Sequence, residues 1–305
     1  MLRSSARIRT TVVTLAVLGL LGGLAILPAN AALFPGTAPP AVPRPPPRPP
    51  VPVVAWVILV HGFNPTTVPA PSVWYYGTDI YQQLLNRGYH VGVVSYYGTF
   101  TLTLSNGRTF FDPYFYGTTN TPIESVGIEL GRALTVLFGA QPVTIDIVGH
   151  SMGGLVTLYM LEHMRLPNVH LQNVVFLGSP LGGAPITQLT QYDNMSGYQA
   201  QEMEAGSPFL TALQSHLPWA KANYPHTEWL VYAGDADTSW GMTYFGGPND
   251  GLVAVQSDVA LGYSHLYEFP DLHIPSLDVY DPGHVSYFED WNVVHELEAN
   301  FAGHY

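Results

Sequence analysis

Apolar residues run almost unbroken from Val53 to Val60, the pattern of a central strand in a parallel sheet covered on both faces. The run ends in His61-Gly62-Phe63-Asn64. Further on, Val143, Ile145 and Ile147 alternate with Thr144 and Asp146, which predicts a half-buried strand, and Leu155, Leu158 and Tyr159 then recur at helical spacing. Between these two points a helix is expected near Thr78 to Arg87, stopped by Gly88, and a strand over Val91 to Ser95. Asn106-Gly107, inside Thr101 to Phe111, is the favoured pair for a tight hairpin. Thr121-Pro122-Ile123-Glu124 reads as a helix start in which Thr121 caps, Pro122 suits the first turn and Glu124 closes a capping box. Ile123, Val126, Leu130, Leu134 and Leu137 then give one apolar face, ended by Gly139. Later strands are expected at Val174 to Leu177, Trp229 to Ala233 and roughly Ile274 to Tyr280, with a closing helix from about Val285 to Phe301. This alternation predicts an α/β fold with a doubly wound, mostly parallel sheet.

An insertion from about Leu181 to Pro225 interrupts the alternation. Its Leu189, Met195, Met203, Phe209, Leu210 and Leu213 would either face an acyl pocket or pack as an ordinary helical insertion on the core. A second group of rings, Trp74, Tyr75, Tyr76, Phe110, Phe111, Tyr114, Phe115 and Tyr116, would line a pocket rim or fill the core.

The amino-terminal residues follow a different pattern. Arg3, Arg7 and Arg9 precede the mostly apolar run Thr11 to Leu27, and Ala29-Asn30-Ala31 offers small residues for cleavage. Residues 1–31 are therefore expected to be a secretory signal peptide, with an uncleaved membrane anchor as the alternative. Residues 32–52 are dominated by proline and read as an extended linker, which leaves 53–305 as one catalytic-sized α/β domain. The chain has no cysteine, so this expected exported protein must rely on its core. Acidic residues outnumber Lys and Arg by 22 to 10, which makes nucleic acid an improbable partner class.

The chemistry centres on Gly149-His150-Ser151-Met152-Gly153, a serine between two glycines with a predicted strand before it and a helix after it, the pattern of a nucleophile elbow. A serine hydroxyl needs a base to take its proton and an acid to orient that base. Asp250, in Asn249-Asp250-Gly251-Leu252-Val253, is the chosen acid, with Asp235 as rival. His284, in the turn ahead of the closing helix, is the chosen base, with His273 as competitor. The expected oxyanion donors are the backbone N–H groups of Met152 and Phe63. His150 is expected to support the site without taking part. No metal motif and no phosphate-binding loop occurs, so neither metal nor other cofactor is implied.

On the segments His61-Gly62-Phe63, Gly149 to Gly154, Leu177-Gly178-Ser179-Pro180 with Gly182-Gly183, Met203 through Leu210, and Asn249 to Val253, the chain resembles α/β-hydrolases of the bacterial secreted lipase and esterase type. The resemblance implies a helical cap or lid in the insertion from about Leu181 to Pro225, a Ser151, Asp250, His284 triad and hydrolysis of acyl or lipid esters, with a lipid–water interface as a further partner and no obligate protein partner. Some such proteins carry a calcium site with an aspartate just after the catalytic histidine; here Val285 and Ser286 follow His284, so calcium is not carried over. A polyester depolymerase, an acyltransferase, an amidase or a binding protein on a hydrolase scaffold would use the same segments.

Overall fold

The computed structural model describes residues 55–64, 70–185, 196–236, 247–277 and 283–301. The expected signal peptide and linker lie outside these residues, as do Leu189 and Met195 of the insertion.

Eight strands form one sheet in the order β4-β3-β2-β1-β5-β6-β7-β8. β1 (Ala55–Val60), β2 (His90–Ser95), β5 (Val143–His150), β6 (Val169–Leu177), β7 (Glu228–Gly234) and β8 (His265–Phe269) are mutually parallel. β3 (Gly98–Leu104) and β4 (Thr109–Gly117) add an antiparallel hairpin at one edge. Gly107 takes φ 87° in its turn, as the Asn-Gly pair predicts.

Alternate residues of β1 feed two separate cores. Trp56, Ile58 and Val60 face a layer made by α2 (Ile123–Phe138), α3 (Met152–His163) and α5 (Pro208–Asn223), while Val57 and Leu59 face α1 (Ile80–Asn86) and α6 (Trp291–Phe301). Leu297 and Phe301 of α6 are fully buried, each contributing about 1.5–3 kcal/mol relative to exposure. Burial on both faces is why β1 reads as a continuous apolar run. β5 is buried on both faces too, although its Thr144 and Asp146 predicted a half-buried strand, and Asp146 Oδ1 accepts there from the backbone N–H and side-chain amide of Asn173.

Three local expectations need correction, and one left open is resolved for the described residues. α2 has Pro122 as its N-cap with no side-chain cap bond, because Thr121 Oγ1 instead accepts from the Thr118 N–H and closes the preceding turn. The last strand is β8, and the stretch where a strand was expected contains a short 3₁₀ turn over Pro275–Leu277; Leu266 and the exposed His265 carry too weak an alternation to announce β8 from sequence. The closing helix begins at Trp291, after Ser286 to Asp290 have been folded into a turn in which the Glu289 carboxylate accepts from Ser286 N–H and Oγ–H. Within the insertion, α5 is the crossover that carries the chain from β6 to parallel β7, and it packs on α3 with Phe209, Leu210 and Leu213 buried. Those three side chains therefore belong to the core, as does Met203 beside the short α4 (Tyr198–Glu202).

Candidate active site

The chain proceeds from β1 outward to β2 and later from β5 outward to β6, so the direction of winding reverses between β1 and β5. Such a reversal opens a crevice beyond the carboxyl ends of the two strands. Val60 pairs with Gly149, and two residues further on the chains carry Gly62 and Ser151 into that crevice.

Ser151 has φ 54° and ψ −128°, a left-handed conformation that costs a non-glycine residue on the order of 1–3 kcal/mol. The surrounding backbone enforces it. A Cβ on Gly149 would stand 2.7 Å from Gly154 Cα, one on Gly153 2.3 Å from the Val60 carbonyl oxygen, and one on Gly62 2.7 Å from Ser151 Cβ. The three glycines thus let two strands, the loop 61–64 and the first turn of α3 meet at one point. Ser151 N–H donates to the Leu177 carbonyl at 2.8 Å, tying the elbow to β6. Met152 is the first residue of α3, so its N–H belongs to the unsatisfied donors at the helix's positive end.

Asp250 is fully buried and accepts four hydrogen bonds. Its Oδ1 takes the N–H groups of Leu252 (2.9 Å) and Val253 (2.7 Å). Its Oδ2 takes the Tyr287 hydroxyl (2.9 Å) and Nδ1–H of His273 (2.6 Å). The imidazole beside Asp250 is therefore that of His273, and the choice of His284 is corrected. Both residues obey one rule, a histidine in the loop after the last strand. Because β8 is that strand, the loop carries His273, four residues beyond Phe269, while His284 lies half-buried on the following segment, which runs alongside through Leu272 N–H to the Val285 carbonyl (2.8 Å).

Two backbone contacts complete the placement of His273. Its N–H donates to the Asp250 carbonyl at 2.9 Å, and its own carbonyl accepts from Nε2–H of His150 at 3.1 Å. His150 immediately precedes Ser151, so the imidazole's backbone is anchored next to the elbow. With Nδ1–H directed at the carboxylate, the ring's lone pair resides on Nε2. His150, buried and beside His273, is held well below the usual histidine range by desolvation first and by the neighbouring imidazole second. It stays neutral, as a supporting residue should.

The rival acid, Asp235, donates its backbone N–H to the Phe269 carbonyl at 2.6 Å at the end of β7. Two further carboxyls surround Asp250. Burial pushes Asp271 up to about 8 and raises Asp258 well above its ordinary value, with the Asp250 carboxylate adding to both shifts. Asp271 is consequently mostly protonated at pH 7. Among the described residues no three His, Cys, Asp or Glu side chains are grouped so as to hold a metal ion.

Of the ring cluster read as rim or core, Trp74 is fully buried and makes T-shaped contacts with His150 and Phe288. Phe110 and Phe115 pack on Phe100. Tyr75, Tyr76, Phe111, Tyr114 and Tyr116 are exposed. Tyr287 and the tyrosines at the end of β2 were missed by sequence reasoning, since a buried tyrosine that donates to a site cannot be told from any other ring.

A doubly wound, mostly parallel sheet with a strained serine at its winding reversal is the α/β-hydrolase fold, and this chain has it. Residues 134–213 match the model of the PGAP1-like alpha/beta domain. The structure is similar to that of the Bacillus licheniformis lipase BlEst2 in its mature form, with TM-score 0.52 and 17% identity over 84% of this chain and 94% of that one. The same lipase in its propeptide form gives TM-score 0.50 and 16% identity over 82% of this chain and 50% of that one. No curated protein matches the chain in sequence.

Proposed function

We propose that the protein is an exported serine hydrolase that cleaves carboxylic esters, with acyl glycerols or related lipid esters as substrates. One observation carries this: the 2.6 Å contact of Asp250 with His273, whose carbonyl is bonded to His150, the residue before a serine held at φ 54°. Structural likeness to a lipase is consistent with it and speaks for the fold.

Ser151 Oγ attacks the ester carbonyl while His273 Nε2 takes its proton, and Asp250 orients the imidazole and stabilises its charged form. The tetrahedral oxygen is held by the N–H groups of Met152 and Phe63. Collapse breaks the bond to the alcohol, which leaves with the proton from His273, and water then releases the acyl group by the same sequence reversed. Because the acid and base are already joined through hydrogen bonds, little reorganisation is needed when charge develops.

Ser151→Ala is expected to lower kcat for p-nitrophenyl esters by at least about 10⁴-fold. Full turnover by that variant would overturn the assignment. A series of esters of increasing acyl length assigns the substrate class: rising kcat/KM toward long chains is the lipase result, and preference for short chains the esterase result.

A further inference from the structure

Tyr96 and Tyr97, which directly follow β2, hold the loop 61–64 through hydrogen bonds. The hydroxyl of Tyr96, which is fully buried, donates toward the carbonyl oxygens of His61 and of Gly62, the latter at 3.0 Å. The Gly62 oxygen also accepts from Nδ1–H of His61 at 2.8 Å. The His61 ring lies stacked on Tyr96, with centroids 3.8 Å apart and planes at 25°. Burial holds His61 down at about 4, so this imidazole is neutral and remains a single-proton donor. At the other end of the loop, the Asn64 N–H donates to the Tyr97 hydroxyl at 3.1 Å, and that hydroxyl in turn donates to Gln199 Oε1 at 2.8 Å. Gln199 sits in α4, almost wholly buried.

A peptide unit is planar and trans, so its N–H points opposite to its C=O. Fixing the Gly62 oxygen against Tyr96 therefore fixes the Phe63 N–H on the opposite side. We infer that Tyr96 and Tyr97 are positioning residues of the oxyanion hole, which hold the Gly62–Phe63 peptide so that its N–H meets the tetrahedral oxygen. This rests on the acyl-transfer function proposed above. Neither tyrosine touches substrate; both act through the loop, and Tyr97 links the loop to α4.

The test uses the full chain, a p-nitrophenyl ester and a boronic acid that forms a tetrahedral adduct with the serine. Active sites are counted with a fluorophosphonate, so that only folded enzyme is compared. Tyr96→Phe is expected to lower kcat about 10- to 100-fold, below the full loss of an oxyanion donor. KM should stay within about twofold and the pH profile should not move, because the acid and base are untouched. Boronate affinity should fall by the same factor as kcat/KM. A folded Tyr96→Phe enzyme with kcat within about twofold of wild type, or with its loss confined to KM, overturns the inference. If that variant does not fold, Tyr97→Phe decides the matter: a kcat loss of about threefold to tenfold at constant KM is expected, and none overturns it. A wild-type chain that neither turns over the ester nor takes up the fluorophosphonate refutes the hydrolase function itself, an outcome seen before any tyrosine is changed.

Discussion

The two sides of the candidate site are built in opposite ways. On one side, Gly62, Gly149, Gly153 and Gly154 pack around Ser151 so closely that a Cβ added to any of them would stand 2.1 to 2.7 Å from a neighbouring atom. On the other, Asp250, His273 and Tyr287 come from three loops and are joined by side-chain hydrogen bonds of 2.6 and 2.9 Å. The nucleophile side is a steric problem with one local solution. The acid–base side is a matter of which loop the topology delivers, and any of several residues of the right type could have been delivered. The first kind of site tolerates almost no substitution near its glycines; the second should concentrate its function in the residue that has the partner.

The sharpest break of this contrast is at the histidines. His273→Ala is expected to reduce kcat for an ester substrate by about 10⁴-fold, as loss of a triad base does. His284→Ala should stay within about threefold. Steady-state kinetics on the two purified variants checks both numbers, and the reverse ranking would return the base to the second loop.

The steric side is tested next. A methyl group at Gly153 would stand 2.3 and 2.5 Å from the carbonyl oxygens of Val60 and His61, and both are backbone atoms of the central strand and its loop, which cannot swing away. Gly153→Ala is expected to cost about 3 kcal/mol or more in urea unfolding and to abolish activity by displacing the elbow. Wild-type stability would show that β1 and α3 can separate more easily than the contacts imply.

The smallest effect concerns a group away from both sides. Glu162 on α3 is buried, neither carboxylate oxygen has a hydrogen-bond partner among the described residues, and burial pushes it up to about 8 from 4.5. Below about 4.5 the carboxyl is protonated whether the chain is folded or not. Between 4.5 and 8 the unfolded chain releases a proton that the folded chain keeps, so stability falls as pH rises through this range and levels off above it. Glu162→Gln removes that slope. Its stability relative to wild type should be near zero at pH 4.5 and on the order of 2–4 kcal/mol more favourable at pH 8, read from urea midpoints at the two values. A constant difference across the range would show that the carboxyl titrates normally.

Much of this was legible from the chain itself. The run into His61-Gly62 and the Gly-His-Ser-Met-Gly turn identify themselves because close backbone approach demands glycine at fixed spacing, a constraint written in adjacent residues. Asp250 was chosen for its place in a glycine-rich loop beyond the late strand, and its Oδ1 does accept from the Leu252 and Val253 N–H groups as a turn aspartate would, while Oδ2 is left for His273. β8 was not legible, since an outer strand with exposed positions has weak alternation, and missing it moved the expected histidine one loop too far.

Sequence alone settled that Ser151 would be strained at the end of a central strand and that two faces of a parallel sheet would be covered, because periodicity and steric exclusion act between near neighbours. Tertiary structure alone decided which histidine meets Asp250, which tyrosines hold the loop 61–64, and that α5 serves as a crossover. Those outcomes depend on hydrogen bonds between groups 23 to 102 residues apart, and nothing local distinguishes one buried ring or imidazole from another until the sheet order has brought it into place.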